Sequence, residues 1–495
     1  MNAVLKPSTD ISALFQRMAA HAPAMAATTA AQRVERIRKL LKATLDARPK
    51  IVEAGHKELR LCDLDIDGQL LMVKTEAEFI ARNLGKWMQP QPIDGSLMTV
   101  GKKSYVRYEP KGVVLHVSTW NAPIAEAFVP AFGAIAAGNP FVLKPSELAP
   151  ESARVLAEIV ASVMPEEEFA VVQGGADVAQ ELLRQPFNHI FYIGGHAVGR
   201  IIMKAAAEHF ATVTLEMGGK NPTIIDASAD VEDAARKTAW GRVCNAGQVC
   251  LAPDYALVHE SVERPFVAAL GQAMTAMYDA DGQGFQKSAY LPRIVNRKHF
   301  DRIKGLLDDA IAKGAKVECG GQTDGADLFI APTILTGLSG SMRIMQEEIF
   351  GPIICVLPFG RREDAVREIR SRPKPLGSYI FAKDRAAIDW WLANTTSGST
   401  TVNHNVIQAG TNPGLPFGGV NASGIGRLGG RYTFLECSNA RAVVEDGPGI
   451  GDPNIMFPPY SAKYRQGIEW MMKNSPNVPG WLHRTMTAVL RRKSP

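Results

Sequence analysis

Long apolar runs are missing from this 495-residue sequence. None approaches the roughly 20 consecutive residues that a membrane-spanning helix requires, and the N-terminus lacks the basic-then-apolar order of a secretory signal. Both absences point to a soluble protein with a cytoplasmic address. Cysteine is scarce. The six residues (Cys62, Cys244, Cys250, Cys319, Cys355 and Cys437) form no C-x-x-C pair and no regular spacing, which argues against a disulfide framework and for free thiols in a reducing compartment. Clustered positive charge is absent from the body of the chain. From Pro448 onward there are seven Lys and Arg against two Asp and Glu, which accounts for the whole net charge of +5. A neutral body has no basic face with which to track phosphates, so no nucleic-acid partner is expected. Internal repeats and low-complexity tracts are also missing, and no metal is expected.

What is present reads as a globular enzyme. With 46% hydrophobic and 21% charged residues, the chain can bury large cores and should divide into two or three units. From about Ala31 to Trp87, apolar residues such as Ile37, Leu40, Leu41 and Leu45 recur at helical spacing. Short β-rich runs then alternate with helical stretches: Val113 to Val117, Phe141 to Leu143, Ala170 to Val172, Ile190 to Ile193 and Thr212 to Leu215. That alternation predicts a parallel sheet covered by helices, and ligands of such sheets sit beyond the carboxyl ends of the strands. Several of these runs lead into polar or glycine-rich segments there: Asn121, Lys144 to Glu147, Gly194 to Gly199 and Glu216 to Lys220. A second α/β region is expected from about Pro222 to Val402, with strands at Thr223 to Ile225, Ala256 to Val258 and Ile353 to Leu357. The Gly- and Pro-rich stretch Gly410 to Gly430 reads as a loop with unusual backbone angles.

The segment Asn245-Ala-Gly-Gln-Val-Cys250 sets a cysteine after a glycine-containing turn, where its sulfur could project into a cleft. Taken alone, an intracellular cysteine is more often a small buried hydrophobe. Nothing around Cys244 distinguishes it from a packing residue, and it is assigned to structure. Cys250 is different because of the company it keeps: Val-Ser-Thr-Trp120-Asn121-Ala-Pro, Phe-Val-Leu-Lys144-Pro-Ser-Glu147, Thr-Leu-Glu216-Met-Gly-Gly-Lys-Asn-Pro222, Glu347-Glu348-Ile-Phe350-Gly-Pro352 and Pro416-Phe-Gly-Gly419. In this order and spacing, from about Phe15 to Val444, the chain closely resembles the aldehyde dehydrogenase superfamily. Cys-Leu-Ala-Pro-Asp-Tyr255, Val-Asn-His404-Asn and Phe-Pro-Pro-Tyr460 look most like its class 3 branch of fatty and aromatic aldehyde dehydrogenases.

The resemblance implies oxidation of an aldehyde to a carboxylic acid through a Cys250 thiohemiacetal and thioester. Asn121 would hold the oxyanion and Glu216 would activate the hydrolytic water. It also implies an NAD(P) site built from Trp120, Lys144, Glu147, Gly194, Gly195, Val198, Gly199, Glu348 and Phe350, although the usual G-x-G-x-x-G is replaced by Gly194-Gly195-His-Ala-Val-Gly199. A carboxylate at Glu147 would repel a 2′-phosphate, which favours NAD over NADP, while class 3 relatives often accept both. In fold, the resemblance implies a Rossmann-like cofactor domain (1–90 and 112–218), an α/β catalytic domain (219–410) and a small bridging element (91–111 and 432–444). A basic extension follows (448–495). Bridging strands of this kind imply a homodimer. Thr119, Ala122, Asn421 and Leu428 depart from the family pattern. Ala122 stands where an aromatic often lines the substrate tunnel, so a bulky apolar aldehyde, aromatic or terpenoid, is expected. A CoA-acylating enzyme is the first rival, opposed by Glu216, and a catalytically silent protein on the same fold is the second. In the tail, Trp481, Leu482, Met486, Val489 and Leu490 fall at helical spacing beside Arg484, Arg491, Arg492 and Lys493. That pattern suits weak membrane-surface contact or, more readily, a helix docked over a substrate mouth.

Overall fold

The structure, a computed structural model, describes residues 10–408, 412–446 and 458–492. Gly410 at the start of the expected loop, the first part of the basic extension, Lys493 and the side chains of Leu490, Arg491 and Arg492 lie outside the described residues. Two compact units emerge, one running to Arg82 and from Lys111 to Cys437, the other comprising Asn83–Pro110 and the chain from Ser438.

The first unit opens with helices Ile11–Ala26, Ala30–Asp46 and Arg48–Leu59. The second of these starts at a capping box, in which Thr29 accepts from the Gln32 backbone and Gln32 answers to Thr29. Helix Ile11–Ala26 extends the helical region upstream of the expected start. Its buried residues Ile11, Leu14, Phe15 and Met18 carry the i, i+3, i+4, i+7 spacing.

Two sheets follow. The six-stranded sheet runs Gly424–Ile425, Thr212–Met217, His189–Gly194, Val114–Val117, Phe141–Lys144, Phe169–Val171 in space. It is parallel except at Gly424–Ile425. Helices such as Pro123–Ala137 and His196–Glu208 connect its strands, and central strands such as Val114–Val117 are buried along their whole length, as strands covered on both faces must be. The seven-stranded sheet runs Lys316–Cys319, Thr333–Thr336, Ile353–Phe359, Tyr255–His259, Pro222–Ile225, Gly377–Phe381, Ser399–Val402. It is parallel except at its first strand. All eight strands expected from β-rich runs are present within a residue or two, and the α/β architecture is the one the alternation implied. Of the remaining strands here, Gly377–Phe381 opens on Gly and Ser before the short run Tyr379-Ile380-Phe381, and Ser399–Val402 is mostly Ser and Thr.

The second unit is a three-stranded antiparallel sheet, Gln91–Ile93, Lys103–Pro110 and Ser438–Glu445, joined by helices Ala462–Lys473 and Gly480–Arg492. The tail helix does not bury the apolar stripe read from its sequence. Trp481 and Val489 are exposed, and His483 and Thr487 are buried instead. The Gly101 amide donates to Thr487 Oγ1 at 3.1 Å, His483 Nε2 meets Thr99 Oγ1 at 3.3 Å, and Arg484 pairs with Asp94. This polar docking onto residues 94–101 selects a different face of the helix from the one hydrophobicity alone would choose.

Candidate active site

Three neighbouring strands of the six-stranded sheet end on one side of it, and their carboxyl ends deliver the site. Register sets Ile193 beside Glu216 and Gly194 beside Met217. Strand Val114–Val117 runs out through Trp120 and Asn121 into helix Pro123–Ala137, whose Pro123 at the first turn needs no hydrogen-bond acceptor.

The loop leading to Cys250 is held in a conformation that few residues adopt. Asn245 and Ala246 both lie in the left-handed region, with φ of 50° and 51°, which costs about 1–3 kcal/mol at each and persists only where surroundings enforce it. Gly247 follows with φ 72°, and a Cβ there would stand 2.3 Å from the Gly351 carbonyl, so only glycine fits. The enforcement is visible. Asn245 Nδ2 donates to the carbonyls of Asn121 (2.9 Å) and Gln248 (3.1 Å). The buried Gln248 side chain donates to the Asn245 and Arg293 carbonyls and accepts from the Val295 amide, each at 3.0 Å. Asn221 Nδ2 donates to the carbonyl of Cys250 itself at 2.7 Å. Asn121, in turn, directs its side-chain amide to the Gln248 carbonyl at 3.0 Å, which keeps that donor beside the cysteine turn.

These elements enclose a cavity of about 310 Å³ whose wall includes Thr119, Trp120, Asn121, Gly194, Gly195, Glu216, Cys250, Glu348 and Phe350. Residues that sequence reasoning did not single out share it: Glu126, His299, Arg302 and Glu347. Glu126 lies in the first turn of helix Pro123–Ala137, five residues past Asn121, and its place in an apolar run was a readable signal. His299 packs its ring 5.5 Å from that of Trp120, and Phe350 approaches the same indole edge-on at 5.7 Å.

Electrostatically the cavity is acidic. Burial pushes the Cys250 thiol well up, and the charges of Glu216 and Glu126 push it further. Burial also raises Glu216, an effect that the neighbouring Cys250 thiol partly offsets. Glu126 is raised by burial and by the charge of Glu216, and Glu348 is pushed up to about 8 by burial and by Asp254. One oxygen of Glu216, Oε1, is buried without a hydrogen-bond partner.

The cofactor residues fit a dinucleotide. Helix His196–Glu208 begins at Gly195 with no side chain capping its first N–H groups, and a Cβ at Gly195 would meet nothing within 4 Å. An open, uncapped helix N-terminus of this kind suits a pyrophosphate. Val198 is exposed and Gly199 buried on that helix. At the end of strand Phe141–Lys144, the buried Lys144 ammonium donates to the half-exposed Glu147 carboxylate at 2.6 Å, leaving acceptors for ribose hydroxyls. Glu348 lies against Gly218, where a Cβ would come 2.1 Å from Glu348 Oε1. Lys144, Glu147, Val198 and Gly199 are outside the cavity wall described above, and so is Ala122, which precedes helix Pro123–Ala137 and is partly exposed. Cys244 lies on the same loop as Cys250 but donates to the Gly241 carbonyl three residues back, at 3.5 Å, and burial pushes its thiol up to about 12.

The comparisons with known proteins agree with this geometry. The aldehyde dehydrogenase family model matches residues 3–443. Mouse aldehyde dehydrogenase family 3 member B3 is 37% identical over 444 residues, covering 89% of this chain and 91% of its own. A substrate-bound AldH structure from Staphylococcus aureus superposes with a TM-score of 0.88 at 34% identity, covering 94% of this chain and all of that one. A Mycobacterium tuberculosis aldehyde dehydrogenase solved with NAD+ gives 0.79 at 27% identity, covering 88% and 91%. With a thiol, a carboxylate and an amide converging on one cavity beside a dinucleotide cradle, the chain belongs to the aldehyde dehydrogenase family and oxidises an aldehyde to a carboxylic acid with NAD(P).

Proposed function

We propose that Cys250 is the nucleophile, Glu216 the base and Asn121 the oxyanion donor, and that the substrate is a bulky apolar aldehyde, aromatic or terpenoid. The observation that carries the reading is the convergence of Cys250, Glu216 and Asn121 on the wall of one cavity. Attack by sulfur on the carbonyl carbon needs the thiolate, and Glu216 takes the proton. The charge that develops on the carbonyl oxygen calls for a donor. The Asn121 amide, now spent on a backbone carbonyl, serves that role with the Cys250 N–H, and one such donor contributes about 10²–10³ in rate. NAD(P), when bound, would supply the hydride acceptor. Glu216, with Oε1 free, then polarises the water that hydrolyses the Cys250 thioester.

Glu147 supports NAD as the preferred coenzyme, because its carboxylate opposes a 2′-phosphate. Ala122 supports a wide substrate passage. The exposed eight-residue strand Ser438–Glu445, at the edge of its sheet, supports a homodimer, since such edges invite pairing. Six unpaired cysteines support a cytoplasmic setting, and no described helix is long and apolar enough to cross a membrane.

One experiment tests the core of this reading. Reduced-coenzyme formation is followed with aliphatic, aromatic and terpenoid aldehydes, each with NAD and with NADP, in the native enzyme and in Glu216→Gln. The variant should form at most one equivalent of reduced coenzyme, more slowly than the native first turnover because the thiol's proton acceptor is gone, and then stall, with mass spectrometry finding acylated Cys250. Unimpaired steady turnover of the variant, or its rescue by CoA alone, would overturn the assignment.

A further inference from the structure

Oxidation of an aldehyde to a carboxylate leaves two protons to dispose of, and they fall due one after the other. As the Cys250 sulfur bonds to the carbonyl carbon, the thiol proton passes to Glu216. A hydride, with both electrons of the C–H bond, then leaves for the oxidised coenzyme. Water next bonds to the acyl carbon and gives up a proton before the sulfur–carbon bond breaks and the sulfur departs as thiolate. If Glu216 still holds the thiol's proton at that moment, it cannot accept the water's. A second acceptor is required.

Helix Pro123–Ala137 puts one in the same wall. Glu126 lines the cavity with Glu216 and Cys250, and its carboxyl has no ion pair or hydrogen bond among the described residues. Its backbone is fixed from below, where buried His116 Nε2 lies 2.8 Å from the Glu126 carbonyl. Glu216 is only 3% exposed, whereas Glu126 keeps part of its surface open to the cavity. The other titratable and charged groups on the wall are Glu347, Glu348, His299 and Arg302.

We propose that Glu126 is the proton-relay partner of Glu216: it takes the thiol-derived proton from Glu216 and releases it to water, restoring the base before the thioester is hydrolysed. The inference rests on Cys250 as nucleophile and Glu216 as base. Glu126 acts through Glu216 and is thus a positioning residue for its proton. The charge of Glu216 raises the proton affinity of Glu126 across the shared cavity wall, as a neighbouring carboxylate does.

Stopped-flow and steady-state kinetics of Glu126→Gln and Glu126→Asp, from pH 6 to 9, test it with the aldehyde that the native enzyme turns over best. Glu126→Gln should keep a first-turnover burst of about one reduced coenzyme per site while kcat falls about 10–100-fold, within the range of a lost acid–base partner, with an altered pH profile. Glu126→Asp should recover kcat to within a few-fold. The relay is overturned if Glu126→Gln turns over within about twofold of the native enzyme, or if burst and turnover fall together, which would mean that Glu126 shapes acylation. Cys250→Ala runs alongside: a burst surviving in that variant would sink the underlying assignment of the nucleophile, whatever Glu126→Gln does.

Discussion

Beneath the loop Glu347–Gly351, Lys220 and Asp254 form an ion pair buried on both sides. The Lys220 ammonium also donates to the carbonyls of Ile344 (2.8 Å) and Glu347 (3.0 Å), and Asp254 Oδ2 accepts from the Ile349 amide at 2.9 Å. Arg242, fully buried, donates to the carbonyls of Gly351 and Pro253, each at 2.8 Å. In the cavity just above that loop the pattern reverses, because Glu126, Glu216 and Glu348 enter no ion pair among the described residues. Buried charge that is paired and hydrogen-bonded fixes geometry, here the positive-φ Phe350 (φ 45°) and its neighbour Glu348. Buried charge left without a partner costs stability and remains available to protons, which is why such groups concentrate where chemistry happens.

The sharpest test of the contrast is a pair of cysteines six residues apart. Cys250→Ala should abolish dehydrogenase activity while coenzyme binding, read by fluorescence titration, stays within a few-fold. Cys244→Ala should remain active. Exchanged phenotypes would move the nucleophile. On the scaffold side, Asp254→Ala removes one half of a buried pair and strands the Lys220 ammonium, which should lower stability by about 3–5 kcal/mol in denaturant titration. Should that variant prove as stable as the parent, the division into paired foundation and unpaired cavity would fail.

How far each side of the contrast could be read in the sequence differs for physical reasons. The cavity's central residues announce themselves because they sit where β-rich runs end, at Asn121, Gly194 and Glu216, and strand ends of a parallel sheet face the ligand. Glu126 escaped because it lies inside a helix, where a single acid in an apolar stretch stands out without revealing a role. The foundation was invisible for another reason: Lys220, Asp254 and Arg242 are far apart in the chain, and only folding brings them together. The tail helix shows the same limit. Its apolar spacing was correct as a pattern, yet docking chose the polar face of His483 and Thr487, a decision made by Thr99, Asp94 and the Gly101 amide.

A smaller effect is expected at the rim. Ala122 directly follows Asn121 and carries only a methyl group, so Ala122→Tyr should narrow the passage to Cys250. For aromatic and terpenoid aldehydes kcat/KM should fall about tenfold, equivalent to about 1.4 kcal/mol, while short aliphatic aldehydes change little. An equal response from both classes would show that this position does not set the width, and would leave the foundation and the nucleophile untouched.

The smallest expected effect bears on what the unpaired acids cost. Glu348 holds its proton up to about pH 8 in the folded, ligand-free enzyme, whereas in the unfolded chain it ionises in the ordinary carboxylate range. Its folded-state proton affinity is therefore raised. The corresponding stability is fully present at acid pH and is lost as pH rises towards 8, because the folded state must then carry a buried carboxylate. Glu348→Gln mimics the protonated form at every pH. Its melting temperature should match the parent's near pH 4 and exceed it by a few degrees above pH 8, the gap opening across the interval between. Glu126 and Glu216 shift in the same direction, so the variant should keep a shallower fall of its own. A constant gap from acid to alkaline pH would mean that the substitution acts through packing against Gly218, and would remove Glu348 from the set of acids that the cavity keeps at the expense of stability.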